Sequence, residues 1–187
     1  MPRPLVVLVG PPGSGKSTVA TALAALRGVT ARETDADVEA AAGRRIGEIF
    51  VEEGEERFRE LEKSAAEAAL DEHDGVVALG GGAVLDPGIE EQLAAYSAAG
   101  GLVVFLDVSL AHAAPRVGFN ISRPLLLGNP RAQWQSLMEA RRPVYERVSG
   151  LRVSTDGRSA AEVADLIHDA VTRHTAGGSA VDEGSGT

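Results

Sequence analysis

The stretch LVVLVGPPGSGKST at residues 5–18 constrains this chain more than any other. A wholly apolar run meets a glycine-rich loop of the form G-x-x-x-x-G-K-S, and Thr18-Val19-Ala20-Thr21-Ala22-Leu23-Ala24-Ala25-Leu26 follows with helical character. Strand, loop and helix in that order are the setting a phosphate-binding loop requires. Gly10, Gly13 and Gly15 permit backbone angles and close approaches that a side chain would forbid. Successive N–H groups can then form a cationic nest for phosphate oxygens at the positive end of the helix. Lys16 can reach the β- and γ-phosphates, and the Ser17 hydroxyl can hold Mg²⁺. A glycine-rich turn that binds nothing would need neither the apolar strand nor the complete Gly-Lys-Ser-Thr ending. The stretch reads as a nucleoside triphosphate site.

Composition narrows the rest. A chain of 187 residues with 44% apolar side chains suits one globular domain with a full core. No stretch approaches the roughly 20 apolar residues that span a bilayer. Met1-Pro2-Arg3-Pro4 runs straight into the first strand, which leaves no room for a secretory signal. Cysteine is absent, which excludes disulfides and thiolate metal sites and fits a reducing cytoplasm. The net charge of −9 argues against a nucleic-acid partner, because such binding rests on basic surface. Residues 175–187 are small, polar and aperiodic, and read as a disordered tail after a single domain over 1–174.

Short β-rich runs alternate with longer helical ones, which implies a parallel sheet with helices on both faces. Gly28–Glu33 reads as a weakly apolar second strand. The acidic turn Thr34-Asp35-Ala36-Asp37-Val38-Glu39 follows, where Thr34 or Asp35 can cap a helix. Alone it would be a solvated cap. At the carboxyl end of a strand beside the phosphate loop, a carboxylate can also orient Mg²⁺ or accept hydrogen bonds from a hydroxylated substrate. Ile46–Val51 and Glu55–Leu70 are amphipathic helices broken at Gly54. Spacing alone pairs Arg57, Arg59 and Lys63 with Glu53, Glu55, Glu56 and Glu62 on an exposed face. The buried strand Gly75–Leu79 runs into Gly80-Gly81-Gly82, which a ligand lying against the backbone explains better than stability does. Pro87–Ser97 is a helix, Leu102–Asp107 a strand and Leu110–Pro115 a helix. Asp107 fits either a second carboxylate of the phosphate site or a structural place beside a Ser109 helix cap. Arg116 to Leu125 has glycine, proline and arginine without periodicity, as a mobile lid or an ordinary surface loop would. Gln133–Arg147 is a helix that Pro143 kinks or ends. Leu151–Ser154 is a last strand and Ala160–His174 a closing helix. His73, His112, His168 and His174 are scattered and take surface positions.

Taken together, these motifs resemble the shikimate kinases, small kinases of aromatic amino-acid biosynthesis. The carrying residues are Gly10–Thr18, Glu33-Thr34-Asp35, Phe58-Arg59-Glu60-Leu61-Glu62 and Leu79-Gly80-Gly81-Gly82-Ala83. Asn120-Ile121-Ser122-Arg123-Pro124-Leu125-Leu126 and Arg141-Arg142-Pro143-Val144-Tyr145 complete the set. The resemblance covers about residues 4 to 173. It implies an α/β fold of three layers, α/β/α, with a five-stranded parallel sheet, a substrate-binding insertion at 34–62 and a lid at 115–127. It also implies ATP and Mg²⁺ as cofactors and a monomer acting on shikimate. Lys16, Asp35 and Arg123 would be catalytic. Gly13, Ser14, Gly15, Lys16, Ser17 and Thr18 would hold the nucleotide, with Arg116, Arg123 and Arg158 around it. Asp35, Arg59, Gly81, Gly82 and Arg141 would hold the acceptor, in a pocket shaped by Phe58 and Glu62. Ser17 and Glu33 would ligate the metal.

The chain departs from the family pattern in three places. Glu33 stands where an aspartate is usual. A register using Asp35 and Asp37 would restore the aspartate pair but falls two residues short of Gly43 and Ile46, so Glu33 with Asp35 is preferred. Pro115 stands beside Arg116 in place of a polar or basic residue, and Ala160 in place of a proline. The implied reaction moves the γ-phosphoryl group of ATP to the 3-hydroxyl of shikimate. Two rivals are a small-molecule kinase of another acceptor, such as gluconate or a nucleotide, and a slow nucleotide-binding switch. The guanine-specificity motif N-K-x-D that would favour a switch is absent from the sequence.

Overall fold

Five short runs rich in valine, leucine and alanine supply the strands. The computed structural model describes residues 4–117 and 129–178 and joins these strands in one all-parallel sheet. In chain order the elements are β1 (Val6–Val9), α1 (Lys16–Arg27), β2 (Ala31–Glu33), α2 (Thr34–Ala42), α3 (Ile46–Glu52) and α4 (Gly54–Glu72). Then come β3 (Val76–Ala78), a single 3₁₀ turn at Ala83–Leu85, α5 (Pro87–Ala98) and β4 (Val103–Asp107). The chain closes with α6 (Leu110–Val117), α7 (Pro130–Val148), β5 (Leu151–Ser154) and α8 (Ala160–Gly178). The strand order is β2-β3-β1-β4-β5. Val7 of β1 lies opposite Val77 of β3 on one side and Val103 of β4 on the other.

Burial follows strand composition. The wholly apolar β1 and β3 are buried throughout and occupy the middle of the sheet with β4. The mixed runs Ala-Arg-Glu of β2 and Leu-Arg-Val-Ser of β5 take the two edges, where one face meets solvent. Alternation along β1 sends Val7 and Val9 into a core with α4, α5 and α7, and Val6 and Leu8 into one with α1 and α8. Helices therefore cover both faces, giving the three-layer architecture. Among the described residues no helix is long and apolar enough to cross a membrane.

The expected insertion at 34–62 forms α2, α3 and the first half of α4, with a small core of its own around Val38, Ile49 and Phe58. The Phe50 and Phe58 rings meet at 4.6 Å. Gly54 opens α4 with φ +86°, so the break falls where expected. Three boundaries differ from expectation. α7 starts three residues earlier than expected, at Pro130, and runs through Pro143 to Val148. Proline removes the hydrogen bond to Glu139, but both residues are exposed and water can take that carbonyl. α6 likewise continues two residues beyond Pro115. α8 continues to Gly178, four residues into the expected tail, and Thr175 Oγ1 there donates to the Val171 carbonyl at 3.1 Å. Residues 118–127 of the expected lid, Arg123 among them, and the tail beyond Gly178 lie outside the described residues.

Asp107, at the end of β4, sits in a structural clamp. Arg142 donates to both its oxygens, at 2.8 and 3.1 Å, and Arg152 donates Nε–H to Oδ2 at 2.9 Å. Its main-chain carbonyl accepts from Thr155 N at 2.8 Å, which ties β4 to the turn after β5. Burial pushes the Asp107 carboxyl up, but the hydrogen bonds from Arg142 and Arg152 outweigh it and hold the group below its ordinary value. As pH falls, the unfolded chain therefore takes up this proton before the folded one does. The stabilisation is complete above the ordinary carboxylate range and is lost as pH falls below about 4. Asp107→Asn should lower stability at neutral pH by about 1–2 kcal/mol. It should also flatten the acid limb of a denaturation series, and an unchanged limb would rule the clamp out as its source.

Candidate active site

The carboxyl ends of β1, β3 and β2 stand side by side; β1 and β3 open into loops and β2 runs directly into α2, and all three carry polar groups. After β1, residues 10–15 turn into α1, which no side chain caps at its first turn. Its leading N–H groups are thus available to an anion. Gly13 has φ +83°, and a Cβ there would come within 2.7 Å of Val117 Cγ2, so α6 holds the loop closely. Lys16 folds back and donates to the Gly10 carbonyl at 2.8 Å and the Pro11 carbonyl at 3.2 Å. Trp134 of α7 donates its indole N–H to the Pro12 carbonyl at 3.0 Å. Gly13, Gly15, Lys16, Ser17 and Thr18 line a cleft of about 280 Å³ together with Arg116. Ser14 is buried, and its hydroxyl has no partner among the described residues.

After β3 come the three glycines, and their requirement is space. None has a positive φ. A Cβ on Gly80 would stand 2.7 Å from both Asp35 Oδ1 and Glu62 Oε1, and one on Gly82 would stand 2.0 Å from Arg59 Nη1. A Cβ on Gly81 would meet Arg141 Nη1 at 3.4 Å. Charged side chains lie against this backbone, and Gly81 and Gly82 also border a cleft. Thr34 Oγ1 accepts from Gly80 N at 2.8 Å and ties this loop to the start of α2.

Asp35, Arg59, Glu62 and Arg141 thus form one cluster of two carboxylates and two guanidiniums. Glu62 is buried and accepts from Arg59 at 2.5 Å. Burial pushes its carboxyl up, and the charge of Arg59 pulls it back only in part. Arg59 also pairs with Glu55, so the ion pairs read from helix spacing are present and the same arginine still faces the cleft. Its neighbours Arg57 and Lys63 behave differently. Arg57 pairs with Glu53 and Glu60, and Lys63 crosses to Asp86 at 3.0 Å. The cluster lines a second, larger cleft of about 610 Å³ between the sheet and the insertion, with Phe58 and Leu137 in its apolar wall.

The two clefts share Pro12, Ser17, Glu33, Asp35 and Gly81. A hydroxyl and two carboxylates at this junction make a set of hard oxygen donors, which suits Mg²⁺. Asp37 faces elsewhere and is held by Arg32 Nε at 2.7 Å, which agrees with the Glu33–Asp35 register. Arg116 donates to Thr155 Oγ1 and to the Thr155 carbonyl, both at 3.3 Å. Arg158 is exposed and donates to the Ser154 carbonyl at 2.7 Å; it borders neither cleft, although its N–H reaches the same Thr155. The sequence missed Thr34, Trp134 and Tyr145 as site supports. Tyr145 donates to the Gly81 carbonyl at 2.6 Å.

Comparison with known proteins agrees with this arrangement. The family model for shikimate kinase matches residues 12–172. A shikimate kinase of Streptomyces coelicolor is 53% identical over 171 residues, covering 91% of this chain and 97% of that one. One from Thermobifida fusca is 51% identical over 165 residues, covering 88% and 93%. Among solved structures, the shikimate kinase of Acinetobacter baumannii in complex with shikimate superposes with a TM-score of 0.85 at 30% identity, over 92% of this chain and 94% of that one. By sequence, by fold and by the loops gathered at the ends of its central strands, the chain belongs to the shikimate kinase family.

Proposed function

We infer that the chain transfers the γ-phosphoryl group of ATP to the 3-hydroxyl of shikimate, giving shikimate 3-phosphate and ADP. The observation that carries this reading is the shared wall between the two clefts. One cleft is built from a phosphate-binding loop and the other from arginines and carboxylates, and they meet at Ser17, Glu33 and Asp35.

The nucleotide phosphates take the N–H groups of Gly13 to Thr18, and Lys16 leaves its loop carbonyls for the phosphoryl oxygens. Ser17 and Glu33 would hold Mg²⁺. That ion offsets phosphate charge when it is bound. Arg59 and Arg141 present planar, permanently charged forks to the acceptor carboxylate. Asp35 accepts hydrogen bonds from the ring hydroxyls and is placed to orient the attacking one and receive its proton. The hydroxyl oxygen bonds to the γ-phosphorus as the bond to the β,γ-bridging oxygen breaks, and ADP leaves with that oxygen. Arg116 and Arg158 are assigned to the adenine end, and Arg123 to the phosphoryl group from the lid. The reading includes a monomer acting on small molecules in the cytoplasm, where ATP is available.

Release of ADP from ATP and Mg²⁺ should be strongly stimulated by shikimate and not by gluconate. Stimulation by gluconate alone would replace the acceptor, and stoichiometric ATP binding without acceptor-stimulated turnover would favour a switch.

Arg141→Ala should raise the KM for shikimate by roughly 100-fold while nucleotide binding stays within about threefold. Arg59→Ala should do the same and also lower the melting temperature, because Glu62 is left buried without its partner. Lys16→Ala should instead lower kcat by about 10³ with shikimate still bound. Equal loss of both substrates in the arginine variants, measured by titration, would contradict the assigned roles.

A further inference from the structure

Tyr145 lines neither cleft and is closed off from solvent, yet it carries a hydroxyl where phenylalanine would pack as well. The side chain is fully buried, and its ring stacks on Phe105 at 5.2 Å between centroids. An unpaired hydroxyl in that position would be costly, so its polar contacts are what the site gains from it. The hydroxyl donates to the Gly81 carbonyl at 2.6 Å, and the Arg141 guanidinium lies beside the same glycine, its Nη1 3.4 Å from where a Gly81 Cβ would stand.

We propose that Tyr145 is a positioning residue for the acceptor site, acting through the Gly81 carbonyl and the Arg141 guanidinium. The proposal rests on the assignment of Arg141 to the acceptor carboxylate. A phenol has one proton, and here it is committed to Gly81. Only lone pairs remain toward the charge of Arg141, which is an obligate donor. Burial pushes the phenol up to about 12, against the pull of Arg141, so the proton stays on the oxygen at any working pH. One hydroxyl therefore fixes two acceptor-binding elements that are distant in sequence. Tyr145 stands one turn after Arg141 on α7, so its bond to the Gly81 carbonyl holds the loop after β3 beside the arginine that faces the cleft. Trp134, eleven residues earlier on the same helix, ties α7 to the phosphate loop in parallel.

The test is a cycle of Tyr145→Phe, Arg141→Lys and the double variant, with KM for shikimate and for ATP, kcat and melting temperature measured for each. Tyr145→Phe keeps the ring stack. It should raise the KM for shikimate about tenfold and leave that for ATP within about twofold. In the double variant the increase should fall short of the product of the two single increases, because both act on one guanidinium. Assays run well below each melting temperature keep loss of folded protein out of the comparison. A Tyr145→Phe enzyme that melts earlier but keeps both KM values, or that raises both alike, would make Tyr145 a packing residue and overturn the proposal. An Arg141→Lys enzyme with an unchanged KM for shikimate would overturn the underlying assignment instead.

Discussion

The position of β1 between β3 and β4 is the constraint on which the rest of the structure depends. Connections from a parallel strand run to one face or the other, and at β1 they diverge. The chain leaves it through α1 on one face, while α4 and α5, which lead into and out of β3, lie on the other. A crevice opens where the two directions part, at the carboxyl ends of the strands. The phosphate loop, the triple glycine and the acidic turn after β2 all fall at that edge because each directly follows its strand. No long-range folding of flexible loops is needed to bring them together.

Electrostatics then decides what the crevice accepts. The chain is acidic overall, with a net charge of −9, so its cations in the clefts are the exception. Lys16 and Arg116 border one cleft, and Arg59 and Arg141 the other. Glu62 holds Arg59 in place, and its burial means that the pair is screened little by solvent. Gly82 has to be glycine for the same reason, since the guanidinium occupies the space of a Cβ. Positioning and specificity are thus two aspects of one packing arrangement.

How much of this was legible in the sequence depended on the distance along the chain over which each interaction acts. The phosphate loop was fully legible because every feature of it is local. The Arg59–Glu62 and Arg59–Glu55 pairs followed from helix spacing, although spacing could not reveal that the arginine also faces a cleft. Glycines 80–82 were legible as a close approach, but the atoms that approach are side chains from α2, α4 and α7. The contacts Thr34–Gly80, Tyr145–Gly81 and Trp134–Pro12 span 46, 64 and 122 residues, and local pattern carries no trace of them. Asp107 stayed ambiguous for the same reason, since its arginines arrive from 35 and 45 residues away. The proline in α7 left a kink and an end both open, and the helix continues through it because an exposed position on a long, well-packed helix tolerates proline.

The central claim is that the two substrates meet across the wall formed by Ser17, Glu33 and Asp35. The most direct measurement is a crystal structure with shikimate and a non-hydrolysable ATP analogue bound together. The account predicts the acceptor carboxylate on Arg59 and Arg141, its reacting hydroxyl beside Asp35, and the terminal phosphate between that hydroxyl and Lys16. An acceptor seated in the outer part of the larger cleft near Arg45, with its hydroxyls turned away from the phosphate loop, would contradict it.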